Sequence, residues 1–234
     1  MKITIWLGAD MMSKRIIYSC ITLQKELENT IKKIGFGGEV YYLDVALHSD
    51  PRKMHETLQG LIDHNKEADE IIICVSGCGK ATCDLHATTC QIVVPRTMDC
   101  IDVLLTGSGL QRPDGAIFVT KSWMNFMQNS TIDYAKLVKE RGQADAEAVL
   151  KQLYKGFTDF YIIDTGTYDL AEVEAYIMPL VQLLQGTLTR ISGPYKVLEK
   201  LVSGDYDTSV IVVPKGGTLS IHEFDGLRPC TIKK

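Results

Sequence analysis

Cysteine and histidine side chains that suit a metal ion fall on predicted loops in the first half of the chain. Cys78 and Cys83 come after one apolar run, Cys100 after the next, and His48 after the run before them. Thiolates and imidazoles together suit zinc or another borderline-soft metal, so these residues are candidate metal ligands. Their spacing is not that of a zinc finger. Because cysteine is also common in protein cores, ordinary burial is the alternative for each cysteine.

A cysteine nucleophile needs fewer residues than a metal site. Cys78 lies in a turn before a predicted helix start, where exposed N–H groups and the charge of Lys80 would lower the pKa of its thiol. Such a thiolate can accept a methyl, sulfur or acyl group. Cys78, Cys100 and the adjacent Asp99 are therefore the candidate catalytic residues. A histidine partner must come from elsewhere in space, and His48 and His86 are the candidates.

Two basic residues near this turn are candidates for binding a carboxylate or phosphate. The turn is similar to a nucleotide-binding loop, but Cys74 stands where that loop needs glycine and Ala81 where it needs serine or threonine. Lys80 and Arg96 can still bind the anionic group of a smaller ligand. The alternative for Arg96 is a structural pairing with Asp99 or with a helix end.

Hydroxyl and carboxylate side chains follow an apolar run in the second half of the chain, at Asp164-Thr165-Gly166-Thr167-Tyr168-Asp169. Asp164, Thr165 and Tyr168 are candidate ligand-binding residues, because they come directly after a predicted strand. Asp169 is interpreted as a helix cap. A structural turn is the alternative for Asp164.

The composition narrows the classes of function. The chain has 234 residues, of which 45% are hydrophobic and 23% charged, as is ordinary for a folded domain. The net charge of -4 argues against nucleic acid and favours a small molecule or a protein as partner. The first apolar run stops at Gly8 and no stretch is long enough to span a membrane, so we expect a cytoplasmic location and no membrane partner. The 7 cysteines, without an export signal, indicate reduced thiols.

Alternating strand and helix patterns fill the first third of the chain. Strands are predicted at 2–7, 40–45 and 71–75. Ser13 is predicted to cap a helix whose apolar positions are Ile16, Ile17, Cys20, Leu27, Ile31 and Ile34. Asp50 caps the next helix, with Pro51 at its first position. This order implies a parallel sheet with right-handed crossovers.

The last third has the same outline. Strands are predicted at 160–163, 187–191 and 210–213, with an edge strand at 219–224. A helical connection, 111–156, is predicted between an N-terminal α/β lobe, 1–110, and a C-terminal α/β lobe, 157–234. The predicted fold is α/β, with two Rossmann-like lobes, mainly parallel sheets and a cleft between them. An internal duplication is a hypothesis, since the lobes share a pattern and not residue identities.

Several short motifs together carry a family resemblance. They are Leu47-His48, Gly77-Cys78-Gly79, Pro95-Arg96-x-x-Asp99-Cys100, Thr106-Gly107-Ser108, Ser122-Trp123 and Asp164-Thr165-Gly166-x-Tyr168-Asp169. With these motifs, which span most of the chain, it resembles the family catalogued as domain of unknown function 1638. The resemblance implies a setting beside corrinoid-dependent methyl transfer in anaerobes. A corrinoid protein or a methyltransferase is then the expected partner, and the corrinoid is held by that partner.

The chain departs from the family pattern at two places. Family members carry His directly before the Asp-Cys pair, where this chain has Met98, and Cys just after the first strand, where it has Gly8-Ala9-Asp10. Two candidate metal ligands are therefore missing. Cys83, His86 and Asp10 are the candidates to replace them.

These observations predict a protein that binds a metal or a small metabolite in a cleft lined by cysteine and histidine. The expected role is accessory or catalytic, in corrinoid-linked one-carbon metabolism, with a metal-bound thiolate activating or receiving a methyl group. Two alternatives stay open. One is a non-catalytic ligand-binding or regulatory protein, and the other is a cysteine-thiolate group-transfer enzyme without a metal.

Overall fold

The computed structural model describes residues 2–5, 14–77 and 80–227 of the chain. Strands and helices alternate through most of its length, as the sequence predicts. The described strands are β1 (Lys2–Ile5), β2 (Arg15–Cys20), β3 (Glu39–Leu43), β4 (Glu70–Cys74), β5 (Gln91–Pro95), β6 (Ala116–Val119), β7 (Asp159–Asp164), β8 (Thr187–Ser192) and β9 (Val210–Val213). The fold is therefore of the predicted α/β class.

Eight α-helices lie within the described residues. They are α1 (Gln24–Ile34), α2 (Pro51–His64), α3 (Cys100–Leu105), α4 (Lys121–Gln128), α5 (Tyr134–Arg141), α6 (Gln143–Leu153), α7 (Leu170–Leu183) and α8 (Lys196–Ser203). Two predicted caps are confirmed, because the carboxylate of Asp50 accepts from the N–H of Lys53 and that of Asp169 accepts from the N–H of Ala171. Within the described residues, no helix has the length and apolar character needed to cross a membrane.

The first sheet has six strands in the order β1-β3-β2-β4-β5-β9. Its inner strands β3, β2, β4 and β5 run parallel, whereas β1 and β9 are antiparallel to their neighbours. From β2 the chain moves to one side to form β3 and then to the other side to form β4. The carboxyl ends of β2 and β4 thus flank a topological switch point, where ligands of open α/β sheets bind.

The second sheet has three strands, β6-β7-β8, and all of them are parallel. Its core joins Phe160 and Ile162 of β7 to apolar residues of the four helices α4 to α7. The strand predicted at 160–163 and the middle helices are confirmed. The predicted helical connection is therefore part of a packed α/β unit.

The chain divides into two compact units whose limits differ from the predicted lobes. The second unit is Ser108–Pro194, and the described residues up to Gly107 form the first unit together with those from Tyr195 onward. The boundaries move because α8 and β9 return to the first unit, where β9 pairs with β5. The strand predicted at 210–213 is confirmed as β9, but it belongs to the first unit and not to the second. The internal duplication stays a hypothesis. The cleft between the lobes stays a prediction.

The segment predicted as the start of the first helix is a central strand. Arg15–Cys20 forms β2, and α1 begins only at Gln24. The strand is covered on both faces, so its apolar residues do not alternate, and Ile16, Ile17 and Cys20 also fit a helical period by chance. The predicted cap Ser13 lies outside the described residues. The edge strand predicted at 219–224 is also wrong, because Ile221–Phe224 is a 3₁₀ turn.

Two glycines give opposite predictions for substitution by alanine. A Cβ on Gly38 would lie 2.3 Å from the carbonyl oxygen of Arg15, whereas a Cβ on Gly60, inside α2, meets nothing within 4 Å. We expect Gly38→Ala to lower the free energy of unfolding by about 1–3 kcal/mol. Gly60→Ala should raise it by about 0.5–1 kcal/mol, since alanine is the better helix former. Urea unfolding followed by circular dichroism measures both, and a loss of stability in Gly60→Ala would contradict the second expectation.

Candidate metal and ligand site

A cysteine and a histidine meet at the carboxyl ends of β2 and β3. The sulfur of Cys20, the last residue of β2, lies 2.6 Å from Nε2 of His48. The hydroxyl of Thr22 is 2.9 Å from the same sulfur, and the N–H of Thr22 donates to it at 3.4 Å. Sulfur, nitrogen and oxygen donors thus gather at one side of the switch point.

The local fold explains why His48 reaches Cys20. Cys20 stands opposite Leu43, the last residue of β3, so the chain leaves both strands at the same level. The Asp44 carboxylate then accepts from the N–H of Ala46 at 2.8 Å and caps the 3₁₀ turn Val45–Ser49. This tight turn holds the imidazole beside the thiol.

Both members of the pair are neutral near pH 7. Cys20 is only 2% exposed, and this burial raises the pKa of its thiol. Burial also lowers the pKa of His48. The pair is therefore a thiol beside an uncharged imidazole, and it is not a preformed thiolate nucleophile.

The next two strand ends are joined by hydroxyl groups. The Thr97 hydroxyl donates to the Ser76 hydroxyl at 2.9 Å, and the N–H of Gly77 donates to the carbonyl of Thr97 at 3.1 Å. Both hydroxyl-bearing residues are buried. Cys78 follows Gly77 in the chain but lies outside the described residues, so its assignment as ligand and nucleophile stays a prediction.

Asp99 and Cys100 open the short helix α3. One carboxylate oxygen of Asp99 accepts from the N–H of Asp102 at 2.9 Å, so Asp99 caps the helix. Cys100 is the first residue of α3 and is half-buried. Met98 packs against the core of the first unit. The roles predicted for Asp99 and Cys100 stay predictions.

Three further candidates have structural surroundings. The guanidinium of Arg96 donates to the carbonyls of Glu223 at 2.7 Å and of Asp225 at 2.8 Å, which favours the structural alternative for this residue. Cys83 packs in the core of the first unit, and burial raises its pKa. Lys80 is exposed and has a positive φ of 67°, in the turn that follows the strand β4.

The candidates of the second half form a turn at the carboxyl end of β7, in the second unit. Asp164 accepts from the N–H of Gly166 at 2.9 Å, as expected of the structural turn. The hydroxyls of Thr165 and Thr167 are 2.8 Å apart, and the Tyr168 hydroxyl donates to the carbonyl of Ile163. Asp164, Thr165 and Tyr168 thus share one loop. Their ligand-binding role stays a prediction.

The pair of Cys20 and His48 fits a metal ion in its chemistry but is incomplete. Zinc takes thiolate at about 2.3 Å and imidazole at about 2.0–2.1 Å, so tetrahedral ligands of this kind stand about 3.5 Å apart and the pair must open by about 1 Å. Within the described ranges, no three His, Cys, Asp or Glu side chains are grouped so that they could hold a metal. Of the predicted replacements, His86 instead contacts the Thr218 hydroxyl at 2.9 Å, and Asp10 lies outside the described residues.

Cys20 is the residue that the sequence patterns missed. Its place among apolar residues predicts a buried hydrophobic residue, and Cys20 is buried. The missed signal is that Cys20 ends the first of the parallel strands.

A family model described as protein of unknown function (DUF1638) matches residues 42–202. The match includes His48, Cys78, Cys100 and Asp164, and Cys20 lies before its first residue. No curated protein shows a significant match to the chain.

Proposed function

The chain belongs to the DUF1638 family, and from that starting point we propose that it binds a transition-metal ion, zinc above all, through Cys20 and His48. The observation that carries this proposal is the contact of 2.6 Å between the Cys20 sulfur and Nε2 of His48 at the topological switch point. A cysteine thiolate and a neutral imidazole are ligand types that zinc prefers in proteins.

The buried, neutral state of the pair favours a metal over a cysteine nucleophile. A buried thiol with a raised pKa is a poor nucleophile near pH 7. The same thiol can release its proton to solvent when a metal ion binds, because the metal takes the place of the proton on sulfur and compensates the charge of the thiolate. The neutral imidazole needs no deprotonation at all.

Further ligands must join Cys20 and His48 to complete the site. Cys78 is the proposed third protein ligand, as the sequence predicts, and a small molecule takes the remaining position. Catalytic zinc sites keep such an open position, whereas structural sites close it with protein ligands. A bound zinc ion would supply a Lewis acid and keep a coordinated thiol deprotonated.

The proposed setting is corrinoid-linked methyl metabolism in the cytoplasm. The metabolic setting, with a corrinoid protein or a methyltransferase as partner, rests on the family resemblance alone. The second candidate function is a non-catalytic ligand-binding protein. That function is favoured by the neutral Cys20 thiol, which is not a preformed nucleophile. An enzyme that uses Cys78 should show one cysteine alkylated much faster than the others near neutral pH, whereas uniform slow alkylation favours the binding protein.

Competition with a zinc-sensitive chelator tests the metal site. Protein purified without affinity metals is titrated with zinc, as the wild type and as Cys20→Ser and His48→Gln. We expect stoichiometric binding by the wild type and at least about a tenfold loss of affinity in each variant. Cys90→Ser is the matched control, because Cys90 is also a buried cysteine and directly precedes β5, at the opposite edge of the sheet. Equal zinc affinity in wild type and Cys20→Ser would refute the proposal.

A further inference from the structure

Three polar side chains form a row inside the first sheet, close to the carboxyl ends of the strands β2, β3 and β4. Ser19 of β2 pairs with Tyr42 of β3 on one side and with Cys74 of β4 on the other. Ser19 and Cys74 are 0% exposed and Tyr42 is 2% exposed. We call Ser19, Tyr42 and Cys74 the polar row.

The polar row interrupts an otherwise apolar face. Two residues earlier, the same face of the same strands carries Ile17, Val40 and Ile72, which are all 0% exposed. Polar side chains in a core are nearly always hydrogen-bonded. The buried polar side chains of the polar row are therefore expected to have hydrogen-bond partners.

The Tyr42 hydroxyl has no such partner among the described residues. The Ser19 hydroxyl is the nearest group in register, but it donates to the carbonyl of Cys20 at 3.2 Å. An unsatisfied buried hydroxyl costs stability, and phenylalanine would fill the same space without that cost. The hydroxyl is therefore available to a partner that is not among the described residues.

We propose that the Tyr42 hydroxyl donates a hydrogen bond to an uncharged carbonyl oxygen, of the amide type, in the small molecule that binds at the switch point. This proposal depends on the proposed function only for the position of the small molecule at the switch point. Cys20 stands one residue beyond the polar row and faces the other side of the sheet, so a molecule lying across the strand ends can meet both.

The chemistry of the polar row selects an uncharged acceptor. Burial raises the pKa of Tyr42, and burial raises the pKa of Cys74 to about 12, so both keep their protons and act as donors. The negative charge of Glu28 on α1 acts on the Tyr42 hydroxyl and would repel a carboxylate or phosphate. The apolar residues below the row cannot solvate an anion.

Stability of the ligand-free protein gives the first test. Tyr42→Phe should leave the equilibrium constant for unfolding unchanged or lower it, because it removes an unsatisfied group. Tyr18→Phe is the matched control, since Tyr18 is a buried tyrosine of the same sheet whose hydroxyl accepts from the side-chain amide of Asn65 at 2.7 Å. Loss of this hydrogen bond in Tyr18→Phe should raise the equilibrium constant for unfolding about fivefold. An equal rise in Tyr42→Phe would overturn the proposal, because it would show a structural partner such as an internal water.

Binding of acetamide gives the second test. Saturation-transfer difference NMR with acetamide as probe should show saturable binding to the wild type and to Tyr18→Phe. Binding to Tyr42→Phe should be at least about fivefold weaker, as expected for one lost hydrogen bond. Acetate, the charged analogue, should not compete. Unchanged acetamide binding in Tyr42→Phe, or equal competition by acetate, would overturn the proposal.

Zinc titration separates this proposal from the metal site. Tyr42→Phe should keep the zinc affinity of the wild type, whereas Cys20→Ser should keep acetamide binding. If the wild type does not bind zinc but acetamide binds as expected, the proposed function is refuted and the carbonyl site is supported. The reverse pattern removes the carbonyl site alone.

Discussion

Replacing Glu70 with alanine should lower the free energy of unfolding by about 3–5 kcal/mol, because it leaves a buried guanidinium without its counter-ion. Glu70 accepts from Nε of Arg15 at 2.6 Å and from the Tyr206 hydroxyl at 2.7 Å. The side chains of Arg15 and Glu70 are only 18% and 7% exposed. Urea unfolding followed by circular dichroism measures the loss.

An exposed ion pair beside it provides the control. Lys14 and Glu67 are 3.9 Å apart, with side chains 46% and 86% exposed, so Glu67→Ala should change the free energy of unfolding by less than about 0.5 kcal/mol. A double replacement, Arg15→Met with Glu70→Leu, should recover much of the lost stability, because it removes both buried charges. Equal losses in Glu67→Ala and Glu70→Ala would show that burial does not set the cost.

Arg15 of the same ion pair also contacts α8, the helix that belongs to the first unit although it follows the second unit in the sequence. The guanidinium of Arg15 also donates to the carbonyls of Val202 at 2.7 Å and of Leu201 at 2.9 Å, near the end of α8. It thereby satisfies two carbonyls that a helix end leaves without partners. A residue of the central strand β2 thus anchors a helix that is almost two hundred positions later in the chain.

The order of strands and helices was predictable because each apolar run is bounded by turn residues and caps. Asp50 with Pro51 and Asp169 are local signals, and both helices begin where these residues predict. The strand β2 was missed because burial on both faces removes the alternation by which strands are recognised. The place of β9 was missed because pairing with β5 joins residues more than a hundred positions apart.

The candidate site was predictable in its location and not in its members. The loops at the strand ends were predicted, and His48 was named among the ligands. Its partner was not, because the contact between Cys20 and His48 depends on the register of β2 against β3 and on the 3₁₀ turn after β3. Spacing along a chain gives no measure of such a contact between loops.

The affinity for zinc should rise at least about tenfold for each pH unit between about pH 6.5 and 8.5, because zinc must displace a proton from Cys20, and a protonated Cys78 that joins the site would add to this slope. Burial raises the pKa of Cys20 above its ordinary value of 9.0, so the thiol stays protonated throughout this interval. Burial lowers the pKa of His48 from 6.5, so the imidazole stays neutral and adds nothing to the slope. The sign is therefore fixed by the thiol, since each tenfold drop in proton concentration favours the thiolate tenfold.

Chelator competition at several pH values, corrected for protonation of the chelator, measures this slope. In Cys20→Ser the slope should fall by about one unit of log affinity per pH unit, because the serine hydroxyl does not bind zinc and therefore releases no proton. In Cys90→Ser the slope should equal that of the wild type, although burial raises the pKa of Cys90 as well. A slope unchanged by Cys20→Ser would mean that another thiol supplies the proton, and Cys78 would then replace Cys20 as the principal ligand.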